Sequence, residues 1–435
     1  MTHIAAGREQ RLREDADFRR YWWARQLSTT GNIITLIALP VLVYRLSGSA
    51  FLTALTSALE AAPYMLFGLF AGALSDRWDR RLVMINADLA NAALAASVPV
   101  AYWLGALTVP HVLIVAFGGP AIGVFFDGAN FGALPLLVGR ERIAQANAVV
   151  FGSAAAVETV MPSLVGIGLA VVHPADLLAV DAVSFAASAL LLRGITRALH
   201  DRARERPRLS RTVLFGDIRE GLAFLMRHDG VRTMTIVTAI QSFAGGGFVA
   251  LMVVWCDRVL GVGTEGWRFG LVYTGWAVGA VVAAVALPRM LRRAAPAQIA
   301  LLALPLAALF GVSTAGLATS WPVAATGLLL WSIFYSLVII NSISYRQQVT
   351  PENLLGRVNT AGRMLAWGVG WTLGALVGGV LGGLIGVRAA LVVMTALGFV
   401  AVLVAWTSPL RVNWSGEHAR EDQPATDGGA VDGGG

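Results

Sequence analysis

Five acidic side chains interrupt long apolar stretches, and they are the residues best suited to chemistry. Glu60, Asp127 and Glu158 lie deep within such stretches, whereas Asp88 and Asp181 lie nearer the ends of theirs. A charge in hydrocarbon costs at least ~2.5–3.5 kcal/mol on insertion scales, so each intramembrane carboxylate is a functional hypothesis by default. A carboxyl group whose pKa is raised by burial can exchange a proton. The pattern therefore predicts proton transfer, with a hydrogen-bonded structural role as the alternative.

Glu60 ranks first among these acids. It lies about ten residues, or ~15 Å at 1.5 Å per residue, from one end of its apolar stretch. The neighbouring segments FLTALTSAL and AAPYMLFGLF offer no obvious partner, so we expect the neutral form unless water or an arginine is nearby. We predict Glu60, Glu158 and Asp127, in that order, as proton-coupling residues. Asp88 and Asp181 are predicted to be structural partners.

The composition excludes most other chemistry. The 435 residues are 56% hydrophobic and 14% charged, which indicates a membrane protein. Every basic side chain is an arginine, so the sequence has neither the lysine of a phosphate-binding loop nor a Schiff-base lysine. The six histidines are scattered, and we expect no metal, no cofactor and no enzymatic activity. The net charge of +7 is interpreted as a topology signal and not as nucleic-acid affinity.

Twelve apolar windows are long enough to cross a ~30 Å hydrocarbon core as helices. The predicted fold class is therefore an all-α integral membrane protein. The windows lie near residues 21–44, 51–74, 82–104, 111–138, 143–171, 176–193, 231–255, 267–288, 297–317, 322–345, 356–384 and 388–408.

A central polar segment divides the windows six and six. An internal repeat supports this division, because Arg80 and Arg81 align with Arg292 and Arg293 when one half is laid over the other. The predicted segments are a cytoplasmic N-terminus (1–18), a six-helix bundle (19–195), a cytoplasmic linker with an amphipathic helix (196–230), a second six-helix bundle (231–410) and a disordered cytoplasmic tail (411–435).

Arginine placement predicts the orientation. With the N-terminus inside, most of the 33 arginines fall in cytoplasmic segments, and Arg45, Arg258, Arg268 and Arg388 fall outside. The positive-inside rule favours this arrangement. We predict a multi-pass protein of the cell inner (plasma) membrane with both termini in the cytoplasm.

The segment GALSDRWDRR, residues 72–81, carries a dense charge cluster between the second and third windows. Gly72 allows another backbone to approach closely, and Asp76 is placed to receive an arginine or the N-terminal dipole of a facing helix. Arg77, Arg80 and Arg81 are expected to hold the loop to anionic headgroups.

This segment resembles the GxLxDRxxRR signature of the major facilitator superfamily. The resemblance extends over most of the chain, and DFRRYWWARQLSTTGN, LPLLVGRERIAQANAV, LLAVDAVSFAASALLL and TPENLLGRVNT resemble the branch that holds macrolide efflux proteins and the enterobactin exporter. The family implies two bundles that rock around a central site. It also implies a conformational latch of Gly72, Asp76, Arg77, Arg80 and Arg81 against Arg357, with Arg363 as a further partner.

The resemblance further implies that the first, fourth, seventh and tenth spans line a substrate cavity. Helix-to-helix hydrogen bonds are the alternative role for their polar side chains. The residues concerned are Asn32, Thr35, Asn130, Gln241, Ser242, Tyr335 and Asn341.

The predicted function is export of a hydrophobic or amphiphilic small molecule, drug-like or macrolide-like, by a secondary transporter coupled to proton influx. A siderophore or secondary-metabolite exporter is the alternative within transport, and a membrane-embedded enzyme or channel is the alternative class. The expected partners are a small-molecule substrate, protons and membrane lipids, with no nucleic acid and a monomeric state. The fifth-span segment MPSLVGIG departs from the pattern of proton-coupled drug antiporters.

Overall fold

The first six long helices form one half of the molecule. A computed structural model describes residues 12–75, 78–199, 211–351 and 354–411. A short 3₁₀ turn at Leu12–Glu14 precedes the first helix, and another at Arg140–Arg142 separates the fourth helix from the fifth. The six helices are α1 (Ala16–Ser47), α2 (Ala50–Ser75), α3 (Arg80–Trp103), α4 (Val109–Val138), α5 (Ile143–Val171) and α6 (Pro174–Arg193).

The remaining helices form the second half. A shorter helix, α7 (Arg211–Arg227), precedes it. The elements that follow are α8 (Asp229–Arg258), α9 (Gly266–Met290), α10 (Pro296–Leu317), α11 (Trp321–Val349), α12 (Leu355–Arg363), a π-helix (Met364–Trp371), α13 (Thr372–Leu384), α14 (Val387–Ala396), α15 (Gly398–Thr407) and a final 3₁₀ turn (Pro409–Arg411).

Twelve spans of these helices are long and apolar enough to cross a membrane, which confirms the predicted fold class. The eleventh span combines α12, the π-helix and α13, and the twelfth combines α14 and α15. The sequence did not predict the π-helix, because its residues are as apolar as those of α13, which follows it.

Local side chains fix several helix boundaries. Asp15 begins α1, where its carboxylate accepts hydrogen bonds from the backbone N–H groups of Asp17 (3.1 Å) and Phe18 (3.3 Å). Asp79 begins α3 in the same way, accepting from Arg81 (2.9 Å) and Leu82 (3.3 Å). Carboxylates at these positions satisfy backbone donors that an α-helix leaves unpaired. Gly48 ends α1 with a φ of 62°, a conformation that favours glycine.

The two halves meet along α2 and α5. Helix α2 packs against the π-helix and α13, and α5 packs against α9. The largest apolar core crosses this boundary, since it contains Ile37 and Leu42 of α1 together with Phe248 and Trp255 of α8. We call the end of the bundle where α1 finishes the Tyr44 end, and the opposite end, where α3 begins, the Arg80 end.

Burial along α1 shows where the molecule is closed. Every residue from Ile37 to Tyr44, toward the Tyr44 end, is buried, which means that α1 is enclosed on all sides there. Closer to the Arg80 end, Leu36 is 52% exposed and Asn32 is also exposed. In α8, all residues from Ala250 to Cys256 are buried. The structure is thus closed at the Tyr44 end, with a cleft on the Arg80 side of Leu36.

Candidate functional site

The cleft contains a charged cluster that joins the two halves. The Arg363 guanidinium of α12 lies 3.6 Å from the Asp127 carboxylate of α4, and 4.8 Å above the ring of Tyr64 of α2. The Tyr64 hydroxyl donates a hydrogen bond to the same carboxylate at 3.1 Å. Both charged side chains are partly exposed. The structure therefore brings together Asp127, predicted as a proton carrier, and Arg363, predicted as a latch partner.

A second arginine contacts the residue next to Asp127. The Arg25 guanidinium of α1 lies 5.1 Å from the centre of the Phe126 ring in α4. Phe126 is the neighbour of Asp127 along the chain. We call Arg25, Tyr64, Asp127 and Arg363 the central cluster. This cluster contains two guanidinium groups and one carboxylate.

Two of the predicted proton carriers lie outside the central cluster. Glu60 of α2 has one carboxylate oxygen that is buried and without a hydrogen-bond partner among the described residues. Glu158 of α5 is exposed.

Asp88 and Asp181 each bind a hydroxyl on a neighbouring helix. Ser188 of α6 donates to Asp88 of α3 at 2.5 Å. Asp181 of α6 accepts a hydrogen bond from Thr35 of α1. These contacts fit the structural role expected for both acids.

The residues predicted to line the cavity differ in their accessibility. Asn32 is exposed, whereas Asn130 accepts a 2.5 Å hydrogen bond from Tyr21. Asn341 is fully buried and donates at 2.6 Å to the carbonyl of Pro296. Gln241, Ser242 and Tyr335 are also buried. In this conformation Thr35, Asn130 and Asn341 join helices, as the alternative interpretation of the sequence proposed.

The signature loop is only partly described. Asp76 and Arg77 lie outside the described residues, as do the surroundings of Gly72. Arg80 is buried, and a Cβ atom on Gly132 of α4 would lie 2.3 Å from its Nε. Arg81 donates to the carbonyls of Leu192, at 3.2 Å, and Arg193 at the end of α6. Arg80 thus packs against α4 and Arg81 binds the end of α6, whereas the sequence suggested headgroup contacts.

Arg357 contacts the helix between the two halves. Its guanidinium forms an ion pair with Glu220 of α7. At Gly221, the next residue, a Cβ atom would lie 2.9 Å from the Arg357 backbone. The glycine therefore allows α7 to pack closely on the start of α12.

A polar network closes the Tyr44 end, and the sequence did not reveal it. The Tyr44 hydroxyl donates to Asp257 at 2.6 Å and accepts from Arg258 at 3.0 Å. Arg45 pairs with Glu265 at 2.6 Å. We call these five residues the Tyr44 gate. Opposite charges at the ends of the first and seventh spans are its sequence signal, but the signal does not specify which ends meet.

Small residues bring α5 and α9 together near the Tyr44 gate. A Cβ atom on Gly270 of α9 would lie 2.6 Å from the Cα of Ser163 in α5, and one on Gly166 would lie 2.7 Å from the Gly266 carbonyl oxygen. Hydroxyl groups of Ser163 and Thr274 lie 2.7 Å apart. This close packing joins the two halves at the closed Tyr44 end.

Comparisons with known proteins place the chain among membrane transporters. The sequence model of the transmembrane secretion effector family matches residues 11–427. An uncharacterized MFS-type transporter of Mycobacterium tuberculosis is 41% identical over 93 residues, but this covers only 21% of each chain. The multidrug efflux pump Tap of Mycolicibacterium fortuitum is 28% identical over 59% of this chain and 62% of its own.

Two further relatives belong to the exporter branch that the sequence motifs resemble. Macrolide efflux protein A of Streptococcus pyogenes is 27% identical over 52% of this chain and 55% of its own. The enterobactin exporter EntS of Salmonella typhimurium is 25% identical over 80% of this chain and 81% of its own. The matched regions thus span less than two thirds of several of these relatives. A crystal structure of a bacterial homologue of the iron transporter ferroportin, in an inward-facing state, has the same fold, with a TM-score of 0.70. The two sequences are 15% identical, and the match covers 91% of this chain and 98% of that one.

Proposed function

Because the chain belongs to the transmembrane secretion effector family of the major facilitator superfamily, we propose that it exports a hydrophobic or amphiphilic small molecule by alternating access. It is a multi-pass membrane transporter and not an enzyme. The observation that carries the proposal is the Tyr44 gate, because its polar contacts join the two halves at the closed end. The relatives named as exporters of drugs, macrolides and enterobactin support the direction.

The orientation follows from the arginines. With the Arg80 end in the cytoplasm, the cleft opens inward and receives substrate from the cell or its inner leaflet. The Tyr44 gate then closes the outer face of the cell inner membrane. Opening the gate while the Arg80 end closes would release the substrate outside.

Proton influx is the proposed driving force, and Glu60 is the proposed carrier. Asp127 is already paired with Arg363. Glu60 has no ion pair among the described residues, and it lies on α2, which packs against α8, the π-helix and α13 of the other half. Movement of the two halves would therefore change the surroundings of Glu60 more than those of the paired Asp127. Siderophore or secondary-metabolite export is the second candidate, favoured by the similarity to EntS over 80% of the chain.

The test is an efflux assay in a host that lacks its own drug pumps. A panel of macrolides, dyes and catecholate siderophores is loaded into cells that express the protein at a measured level. We expect at least one compound to accumulate less than in cells without the protein, and an uncoupler to remove the difference. Equal accumulation of every compound would contradict export, and efflux that persists without a proton gradient would contradict proton coupling.

A further inference from the structure

Two stacked indole rings lie on the helix that carries Arg363. Trp367 and Trp371 belong to the π-helix of the eleventh span, and their ring centres are 5.0 Å apart with planes only 3° from parallel. Trp367 is 47% exposed. A π-helix in a transmembrane span is uncommon and is frequently found at a functional site. The pair therefore forms a flat aromatic surface with one accessible ring.

This surface faces the cleft and not the lipid. Trp367 follows Arg363 by four residues, about one helical turn, so both lie on the same face of the span. Arg363 contacts Tyr64 and Asp127 inside the cleft. The exposed apolar stripe of α13 begins at Leu373, which lies about 200° around the helix from Trp371. The stripe is consequently on the opposite side, where lipid is expected.

The backbone of the π-helix is fixed on both sides of the indoles. A Cβ atom on Gly368 would lie 2.8 Å from the Met65 backbone of α2, and one on Gly370 would lie 2.8 Å from the Ala239 carbonyl oxygen of α8. The aromatic surface is thus supported by both halves. A rigid platform loses little conformational entropy when a ligand stacks on it.

We propose that the cleft binds a planar aromatic anion, such as an aromatic carboxylate or phenolate. The aromatic ring stacks on Trp367, and the anionic group takes the Arg363 guanidinium, in competition with Asp127. Arg25 provides the second positive charge. The aromatic anion would be the substrate class of the proposed exporter. Binding of the anion does not depend on the export proposal, but the anion's role as a substrate does.

The sign of the charge separates this proposal from its alternatives. Arginine binds carboxylates through paired hydrogen bonds, and the central cluster has two arginines against one carboxylate. A cationic substrate would need to displace Arg363 from Asp127 while Arg25 remained nearby. For an anion, Asp127 is the competitor, and its removal should strengthen binding.

The experiment is equilibrium binding of radiolabelled 2-naphthoate to the purified full-length protein in lipid nanodiscs. The competing probes are 2-naphthylmethylammonium and cyclohexanecarboxylate, which change the charge and the aromatic ring respectively. We expect saturable naphthoate binding and at least tenfold weaker competition by either analogue, equivalent to about 1.4 kcal/mol. Absence of saturable binding at millimolar naphthoate, or equal competition by the ammonium probe, would overturn the proposal.

Three variants make the test specific. Asp127→Asn should tighten naphthoate binding several-fold, whereas Trp367→Ala should weaken it about tenfold. Leu373→Ala, on the opposite face of the same span and 46% exposed, should leave it unchanged. Thermal unfolding of each variant checks that the fold is intact, and Trp367→Phe replaces the alanine variant if that one unfolds. Weaker binding in Asp127→Asn, or unchanged binding in the tryptophan variant, would reject the site.

The outcome is separable from the export proposal. Efflux of drugs without naphthoate binding would reject the anion site and leave export in place. Naphthoate binding without efflux of any compound would support the anion site and reject export.

Discussion

Glu60 has the least favourable surroundings for a charge among the three predicted proton carriers. One of its carboxylate oxygens is buried without a described partner, while Asp127 has an arginine and Glu158 is exposed. We expect Glu60→Gln to fold and bind substrate but to lose uphill, gradient-driven efflux, because the amide resembles the protonated acid and cannot release a proton. Transport assays in proteoliposomes, with and without an imposed pH gradient, measure the difference.

Glu158→Gln is the matched control for that experiment. It makes the same chemical change on an exposed side chain of α5. We expect it to retain gradient-driven efflux. If Glu60→Gln transports at the wild-type rate, Glu60 is structural and the coupling role passes to Glu158 or Asp127.

Tyr44 is the central residue of the Tyr44 gate, since its hydroxyl both donates and accepts. Tyr44→Phe removes both hydrogen bonds from a side chain that is 9% exposed, at a cost of about 1–3 kcal/mol to the closed gate. Arg45→Ala removes an ion pair with a 53% exposed partner, which is worth at most about 1 kcal/mol. Labelling of cysteines placed behind the gate should therefore increase more in Tyr44→Phe. The opposite order would show that the tyrosine does not hold the gate.

His173 connects the stability of the Tyr44 end to pH. It precedes α6, stacks on Tyr102 with ring centres 4.0 Å apart, and accepts a hydrogen bond from the Ala175 N–H at 3.2 Å through Nδ1. Partial burial, together with the charge of Arg45, lowers the pKa of His173 below its usual value of 6.5. The folded protein therefore binds fewer protons here than the unfolded chain does, and stability falls as the pH drops through 6.5 toward the lowered pKa.

His173→Asn tests this linkage, because asparagine also begins helices well. We expect a flatter dependence of the unfolding temperature on pH between neutral and mildly acidic conditions than in the wild type. The measurement is thermal unfolding in detergent across that range. Parallel curves for the two proteins would contradict a contribution from His173.

At the scale of helices, the sequence predicted the spans well, because hydrocarbon requires about 20 apolar residues in each helix. It could not predict the Tyr44 gate or the pairing of Asp127 with Arg363. Those contacts depend on how the two halves are oriented, and an apolar pattern does not encode that orientation. It also could not separate cavity residues from residues such as Asn341, whose amide binds the neighbouring helix.

Gly270 controls how closely α9 approaches α5. Because a Cβ atom there would lie 2.6 Å from the Ser163 Cα, we expect Gly270→Ala to disfavour closure of the Tyr44 end. Gly383→Ala is the control, since nothing lies within 4 Å of the position of its Cβ atom. Both changes raise helix propensity by up to about 1 kcal/mol, so a difference between them reports the contact between the halves. Equal cysteine accessibility at the Tyr44 end in both variants would show that closure does not need the glycine.

At the scale of the whole molecule, the closed end and the cleft lie at opposite ends of one bundle. The Tyr44 gate and the contact between α5 and α9 are both near the closed end. The central cluster, which includes Arg25 of α1, lies on the Arg80 side of the enclosed part of α1. A ligand in the cleft therefore contacts side chains from both halves. Its binding can change the balance between conformations only through different contacts in each of them.

The orientation of the bundle decides whether this arrangement is an inward-facing exporter. Trp78 and Leu104 flank α3 at the Arg80 end and the Tyr44 end, and they are 49% and 76% exposed. The only native thiol, Cys256, is buried. Maleimide labelling of a single cysteine introduced at either position can therefore be measured with little labelling of the native thiol. We expect Leu104→Cys to react with a membrane-impermeant maleimide on intact cells or spheroplasts. Trp78→Cys should react only after permeabilisation, because the arginine-rich end is retained in the cytoplasm.

Each variant serves as the control for the other, since one transmembrane helix separates them. Inverted membrane vesicles should exchange the two labelling patterns. If Trp78→Cys is labelled on intact cells and Leu104→Cys is protected, the cleft opens to the outside. The Tyr44 gate would then close the cytoplasmic face, and the same geometry would describe a protein poised to take up its substrate from outside the cell.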